Sequence, residues 1–208
     1  MSSPNADTRQ WSRARFAVID VEGNGAHPPD LVEIAIVLVI AGRPQPARTW
    51  LVKPPAAITW RAKSIHQISN ADVADAPPVA DIEADVVAVL AGADIVVGHQ
   101  VWVDVDVITR SCPSWAPLPA LDTLRLARSQ YPDLPSHKLG DLVQEFDLDP
   151  ADGHAHRAGH DTTVTARLLL HLIAWMTQPV TVAELLRRGA WPAEPASSDQ
   201  GELDLTNL

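Results

Sequence analysis

Cysteine occurs once in the 208 residues, at Cys112, so no disulfide can close within the chain, and a reducing compartment is the natural expectation. Cations are also in short supply. Sixteen Lys and Arg against 26 Asp and Glu leave a formal net charge of -10. A protein that holds nucleic acid by bulk electrostatics relies on clustered Lys and Arg, so this balance disfavours that class. It leaves open a site that meets phosphates through bound metal cations, which reverse the local charge. Long hydrophobic runs are missing too. The best, "LVEIAIVLVI", carries Glu33 and is roughly half of the ~20 residues a membrane helix needs. The opening "MSSPNADTRQ" lacks the basic-then-apolar layout of a signal peptide, so the expectation is a cytoplasmic protein with no membrane partner.

What is present suits one globular domain: 46% hydrophobic residues in a chain long enough to bury a core without staples. Residues 1–12 read as a loose polar leader, 13–191 as the domain, and 192–208 ("PAEPASSDQGELDLTNL") as a disordered acidic tail. Strands are expected over 15–21, 31–40, 48–53 and in "ADIVVGH", with Gly- and Pro-containing connections between the first three. Helices are expected after Ser69 as N-cap, in "PPVADIEADVVAVLAG", after Asp122, after Ser136, and in "DTTVTARLLLHLIAWM", where Val164, Leu168 and Leu172 recur every four residues. Strands first, then strands mixed with helices, indicate an α/β fold with a mixed sheet.

Three stretches place acids where structure alone would not ask for them. In "FAVIDVEGNG" a buried-looking strand ends in Asp20 and Glu22, which share a face because side chains alternate along a strand. Two carboxylates there are costly unless paired or metal-bound. In "VVGHQVWVDVDVI", His99 is followed by Asp104 and Asp106, which break an apolar pattern readable as a half-exposed strand or helix. In "HAHRAGHDTTV", His154, His156, His160 and Asp161 precede the strongest helix, where Asp161 alone reads as an ordinary first-turn acid. The H-x-H spacing also admits zinc, but no thiol stands near it. Taken together, Asp20, Glu22, Asp104, Asp161 and His156 form an inventory suited to two hard cations and a proton acceptor. Mg²⁺ prefers oxygen ligands and leaves room for phosphate. A pair of such ions serves an in-line phosphoryl displacement, with a neutral imidazole taking the proton of the attacking water.

These residues resemble the motifs of the DEDDh 3′–5′ exonucleases, a family that includes the epsilon proofreading subunit of bacterial DNA polymerase III. "VIDVEGNG" is similar to the first motif, D-x-E after a hydrophobic run. "GHQVWVD" is similar to the second, with an Asp five residues after the His, and "HRAGHD" to the third, H-x-A-x-x-D. "SIHQISNADVADAPP" and "LDTLRLARSQYPDLPSHKLGDL" resemble the segments between, so the likeness runs in order from about Phe16 to Met176.

The resemblance implies an RNase H-like fold with a mixed five-stranded sheet flanked by helices. It implies Asp20, Glu22, Asp104 and Asp161 as ligands for two Mg²⁺ or Mn²⁺ ions, and His156 as general base. It also implies His66 as a contact to the substrate's 3′ end, with the main chain after Glu22 near the terminal nucleotide. The candidate substrate contacts are thus Glu22, Gly23, His66 and His99, although a histidine placed like His99 is more often a hydrogen-bonded structural one. The implied activity is hydrolysis at 3′ ends of single-stranded or frayed nucleic acid, DNA ahead of RNA, in proofreading or repair. A ribonuclease on the same scaffold and a non-catalytic nucleic-acid or polymerase-binding module are the alternatives. Gly23 and Asn24 stand in place of a Thr-rich pair, Gln100 in place of Asn, Val103 in place of an aromatic, and Gln67 in place of Gly.

Among the remaining residues, only Asp104 fits the spacing from His99, which sets it ahead of Asp106. Trp102 is a candidate stacking platform. Arg61, Lys63, Lys138 and Arg157 are candidate guides for a phosphate backbone. "GELDLTNL" faintly resembles peptides that grip a sliding clamp, which makes a polymerase or its clamp a candidate partner.

Overall fold

Side chains of strand β1 (Arg15–Gly23) alternate between two buried surfaces, and that alternation organises the domain. Phe16 and Val18 join one apolar cluster, which contains Leu168 and Leu172. Ala17 and Ile19 join a second, which contains Val86 and Ile108. A strand covered on both faces reads as a continuous apolar run, which is why "FAVI" shows no polar positions. The computed structural model describes residues 7–149 and 157–191.

Around β1 the remaining strands are β2 (Leu31–Ile40), β3 (Arg43–Pro44), β4 (Arg48–Leu51), β5 (Ile95–Gly98), β6 (Ala120–Asp122) and β7 (Ala190–Trp191). They form one mixed sheet in the order β3-β2-β1-β5-β6-β7, with β4 also paired to β2. β1 runs antiparallel to β2 and parallel to β5, and Glu22 stands opposite Glu33. The sheet therefore has seven strands, not the five expected. Beyond the four strands located in the sequence lie β3, β6 and β7, of two, three and two residues, too short to show alternation, and β3 contains a proline.

The helices are α1 (Trp60–His66), α2 (Val79–Leu90), α3 (Trp102–Ser111), α4 (Thr123–Gln130), α5 (Leu139–Glu145), α6 (Ala158–Ala174) and α7 (Val182–Gly189). Among the described residues no helix is long and apolar enough to cross a membrane. Asp122 caps α4 as expected, its carboxylate accepting from Leu124 N at 2.9 Å. Ser69 does not start a helix: its N–H and hydroxyl both bond the Asp72 carboxylate, which closes a turn instead. The helix in that region, α1, lies earlier and is capped by Thr59, whose hydroxyl accepts from Ala62 N at 3.2 Å. Likewise α5 starts at Leu139, and Ser136 bonds Asp141 rather than capping. Cys112 is fully buried, and burial pushes its thiol up to about 11.

Residues 7–12, expected within a loose leader, are tied down. The carbonyls of Asp7 and Arg9 accept from Ala183 N and Val182 N, each at 2.9 Å. These are amides of the first turn of α7, which no bond within that helix can satisfy. The Trp11 ring then lies over the β2–β3 turn, where Ala41 and Gly42 have φ of 50° and 73°. Two left-handed residues closing a two-residue loop match the sheet's twist. A Cβ on Gly42 would stand 2.9 Å from Trp11 Cη2. Gly42→Ala should therefore lose about 1–2 kcal/mol of stability, from left-handed strain plus displaced packing, as read by urea unfolding.

Candidate active site

Asp20 and Glu22 leave β1 on the face that carries Phe16 and Val18, the face covered by α6. Asp161 comes down from the first turn of α6 to meet them. Oxygen atoms from these three carboxylates all lie within 4.8 Å of one another. Asp104, in the first turn of α3, is buried, and its Oδ1 accepts from Val21 N at 3.1 Å, which places it against the same strand end. Asp106 is exposed and pairs with Arg110 at 3.0 Å. Four of the five residues singled out for chemistry thus converge. The fifth, His156, lies outside the described residues, as do His154 and the tail from 192.

Burial and crowding raise the proton affinity of this cluster. Asp20 is pushed well above the usual carboxylate range by burial first, then by Asp104, Glu22 and Asp161. Glu22 is pushed up to about 8 by burial and then Asp161, with Glu33 and Asp104 adding and Arg157 opposing. Burial likewise raises Asp104, against the pull of the Val21 N–H bond. Only carboxylate oxygens make up the described cluster, with neither sulfur nor imidazole. That donor set fits a hard divalent cation, which would replace the protons that burial otherwise retains.

Glu33, which the sequence showed only as an interruption in an apolar run, holds the arrangement in place. It is 2% exposed on β2, opposite Glu22. Its carboxylate takes a two-pronged bond from Arg157, at 3.1 and 2.6 Å, and a third bond from Ala158 N at 3.0 Å. Arg157 is the N-cap of α6, and Asp161 N bonds back to its carbonyl at 2.9 Å. Arg157 is thus committed to Glu33 rather than free to guide a backbone.

Two of the candidate substrate contacts are histidines with partners inside the protein. His66 Nδ1 accepts from Ile68 N at 3.0 Å, so Nε2 carries the proton and faces Gly23 O at 3.2 Å. Burial lowers its pKa, which keeps the ring neutral. The ring buttresses the main chain after Glu22, and both of its nitrogens are spent inside the protein. His99 is similarly used up, with Nδ1 3.0 Å from the Thr123 hydroxyl and Nε2 2.9 Å from His137 O. Both rings are thus held by bonds within the protein, His66 at the wall of a cavity beside Glu22. Asn24 is fully buried and organises the loop: its side-chain oxygen accepts from Ala26 N and Asp30 N, both at 3.0 Å. Gln100 has a φ of 65°, a conformation that asparagine tolerates more readily.

A cavity of about 320 Å³ opens beside Glu22 and Gly23, bounded by Arg61, Ile65, His66 and Val103. Gly23 is required there, because a Cβ would meet Pro29 Cβ at 2.8 Å. Trp60, Ile65 and Trp102 are large exposed hydrophobics on the two helices, α1 and α3, that supply much of its wall. Trp102 was legible beside its motif. Trp60 and Ile65 were not, because α1 itself went unread.

The model of the exonuclease family to which ribonuclease T gives its name matches residues 17–169. The chain belongs to that exonuclease family. It is 29% identical over 164 residues to the DNA polymerase III subunit epsilon of Aquifex aeolicus, covering 76% of this chain and 80% of that one. It is 30% identical over 176 residues to the PolC-type DNA polymerase III of Bacillus subtilis, covering 81% of this chain but 12% of that much longer one. Among solved structures, Exonuclease X in complex with 5′ overhanging duplex DNA matches with a TM-score of 0.65 and 28% identity, over 81% of this chain and 99% of that one. The seven-stranded mixed sheet with its helices is the RNase H-like architecture of these DEDDh exonucleases, and the protein is an enzyme of the nuclease class.

Two outcomes are expected of this exonuclease site. Glu33→Ala should cost about 2–3 kcal/mol in urea unfolding, less than a wholly buried pair because Arg157 is 45% exposed. Glu33→Gln should cost less, since its carbonyl can still accept from Ala158 N. The second outcome concerns pH. With Glu22 raised from 4.5 to about 8, the folded state binds more protons than the unfolded one between those values. The cluster's contribution to stability is therefore present below about pH 4.5 and lost as pH rises toward 8. A divalent cation should reverse that loss. At a hundredfold excess over its Kd it should add about 2.7 kcal/mol, or roughly 5–10 °C in Tm, at pH 8, and much less at pH 5. Melting curves with Mg²⁺ and with EDTA at both pH values measure it.

Proposed function

We propose that this exonuclease is a metal-dependent 3′–5′ enzyme that hydrolyses the terminal phosphodiester bond of single-stranded or frayed DNA and releases nucleoside 5′-monophosphates. The observation that carries this reading is the convergence of Asp20, Glu22 and Asp161 within 4.8 Å at the edge of an open cavity. Asp20, Glu22, Asp161 and the remaining oxygen of Asp104 would hold Mg²⁺ or Mn²⁺. Two such ions, when bound, stabilise charge on the attacking and leaving oxygens of an in-line displacement.

The chain's own groups do the rest. The cavity beside Glu22 takes the terminal nucleoside, with Ile65 and Val103 offering apolar contact to base and sugar and Arg61 a positive charge at its wall. Its lining favours the faces of a base over its edges, so hydrolysis proceeds without regard to sequence. His66 holds the Gly23 carbonyl and with it the main-chain floor of the cavity. His156, in the third motif one residue before the α6 N-cap, accepts the proton of the attacking water as a neutral imidazole. The names of the relatives support a DNA polymerase as partner, with proofreading as the setting.

A time course on 5′-labelled single-stranded DNA and RNA of one sequence tests the proposal. The expected result is a one-nucleotide ladder that needs Mg²⁺ or Mn²⁺ and runs faster on DNA. Asp20→Ala should lower the rate on the order of 10³-fold, the equivalent of several kcal/mol of transition-state stabilisation. A ladder that survives EDTA or the Asp20 substitution would refute the metal-dependent reading, and a faster RNA ladder would reassign the substrate.

A further inference from the structure

A second cavity, of about 480 Å³, opens between the residues that follow β5, α4 and the approach to α5. His99 and Gln100 form its near wall, and Arg128, Ser136, His137 and Lys138 complete its polar lining. Among the described residues no carboxylate lines it, in a chain whose net charge is -10. Asp141 lies behind and is engaged by the Ser136 hydroxyl at 2.5 Å. Arg128 and Lys138 are exposed, and neither side chain makes an ion pair with a described residue. The charged side chains that line this mouth are thus cations, while the nearest carboxylates are held behind it, Asp122 by the Gln100 amide at 3.0 Å and Asp141 by Ser136.

Its place in the sheet gives that charge a purpose. β5 runs parallel to β1, with Val97 beside Val18, so the strand ends carrying Asp20 and Gly98 lie next to each other. Adjacent strands are about 4.8 Å apart. The nucleoside-sized cavity thus opens beside Glu22 at the end of β1, and the cationic cavity beside His99 at the end of the neighbouring strand β5. Resting on the exonuclease reading above, we propose that the cationic cavity binds the phosphodiester backbone of the nucleotides on the 5′ side of the scissile bond. Arg128 and Lys138 carry the charge, Arg128 with a planar fork suited to a phosphate and Lys138 as a point charge. His99 acts only as a positioning residue. Its bond to the His137 carbonyl holds the Ser136–Lys138 segment against the end of β5. Lys138 was a candidate backbone guide from its sequence position; Arg128 becomes one only through the fold.

The test reads binding separately from hydrolysis. Fluorescence anisotropy with a labelled 12-nucleotide single strand, in Ca²⁺, compares the full chain with Arg128→Ala/Lys138→Ala and with Arg43→Ala, an exposed cation on β3. The double variant should bind about tenfold more weakly, and its log-log salt slope should shrink by about 1.4, two phosphates at ~0.7 each. Arg43→Ala should bind as the parent does. A strand with neutral methylphosphonates at the second and third linkages from the 3′ end should weaken the parent and leave the double variant unchanged, because the two losses remove one interaction. An unchanged salt slope, or equal methylphosphonate losses in both proteins, would overturn the proposal. A parent that binds with these dependences yet makes no ladder under Mg²⁺ would keep the cavity assignment and refute the exonuclease activity instead.

Discussion

Three hydrogen bonds to one carboxylate connect the sheet to the helix that completes the site. Glu33 is buried on β2, and it receives both prongs of Arg157 and the amide of Ala158. The first turn of α6 is fixed to the strand beside β1, and Asp161 is delivered from that turn to Asp20 and Glu22. Without this link the apolar face of α6 could still cover the sheet through Leu168 and Leu172, because hydrophobic packing is not directional. Register along the helix axis is a different matter. It comes from the directed bonds that the Glu33 carboxylate accepts at this point.

The cost of the design is electrostatic. Asp104, Asp161 and Glu33 crowd both Asp20 and Glu22 at a half-buried strand end, and among the described residues Arg157 is a cation that opposes the rise on Glu22. A protein has little structural reason to hold such a group together, and the stability of the fold is supplied elsewhere, by the two apolar clusters on either side of β1. The division of labour is clear in the strand itself. Phe16 through Ile19 bury, and from Asp20 onward the same alternation presents charge.

Where the sequence was legible, the signal was local. The runs that became β1, β2 and β5, the four-residue spacing of α6 and the Asp122 cap each carry their evidence within a dozen residues. Asp20, Glu22, Asp104 and Asp161 were also legible, because an acid that breaks an apolar pattern advertises its cost. The misses share the opposite character. α1 hides between paired prolines and a polar turn, so Ser69 looked like a cap although its partner Asp72 closes a bend. The sequence also carried no hint of which groups hold His66 and His99. Their actual partners lie 43 residues away at Gly23 and 38 away at His137, distances that no window can see. The role of Glu33 went unread for the same reason, since Arg157 is 124 residues distant.

Cys112 has a practical consequence. The sole thiol of the chain is fully buried and raised to about 11, so at neutral pH it is both shielded and protonated. A cysteine introduced at an exposed position would then be the only site open to maleimide chemistry, with the native residue left untouched. Dyes could be placed on α1 and on the approach to α5 in the otherwise unaltered chain, and energy transfer to a labelled strand would trace its path across the surface one nucleotide at a time.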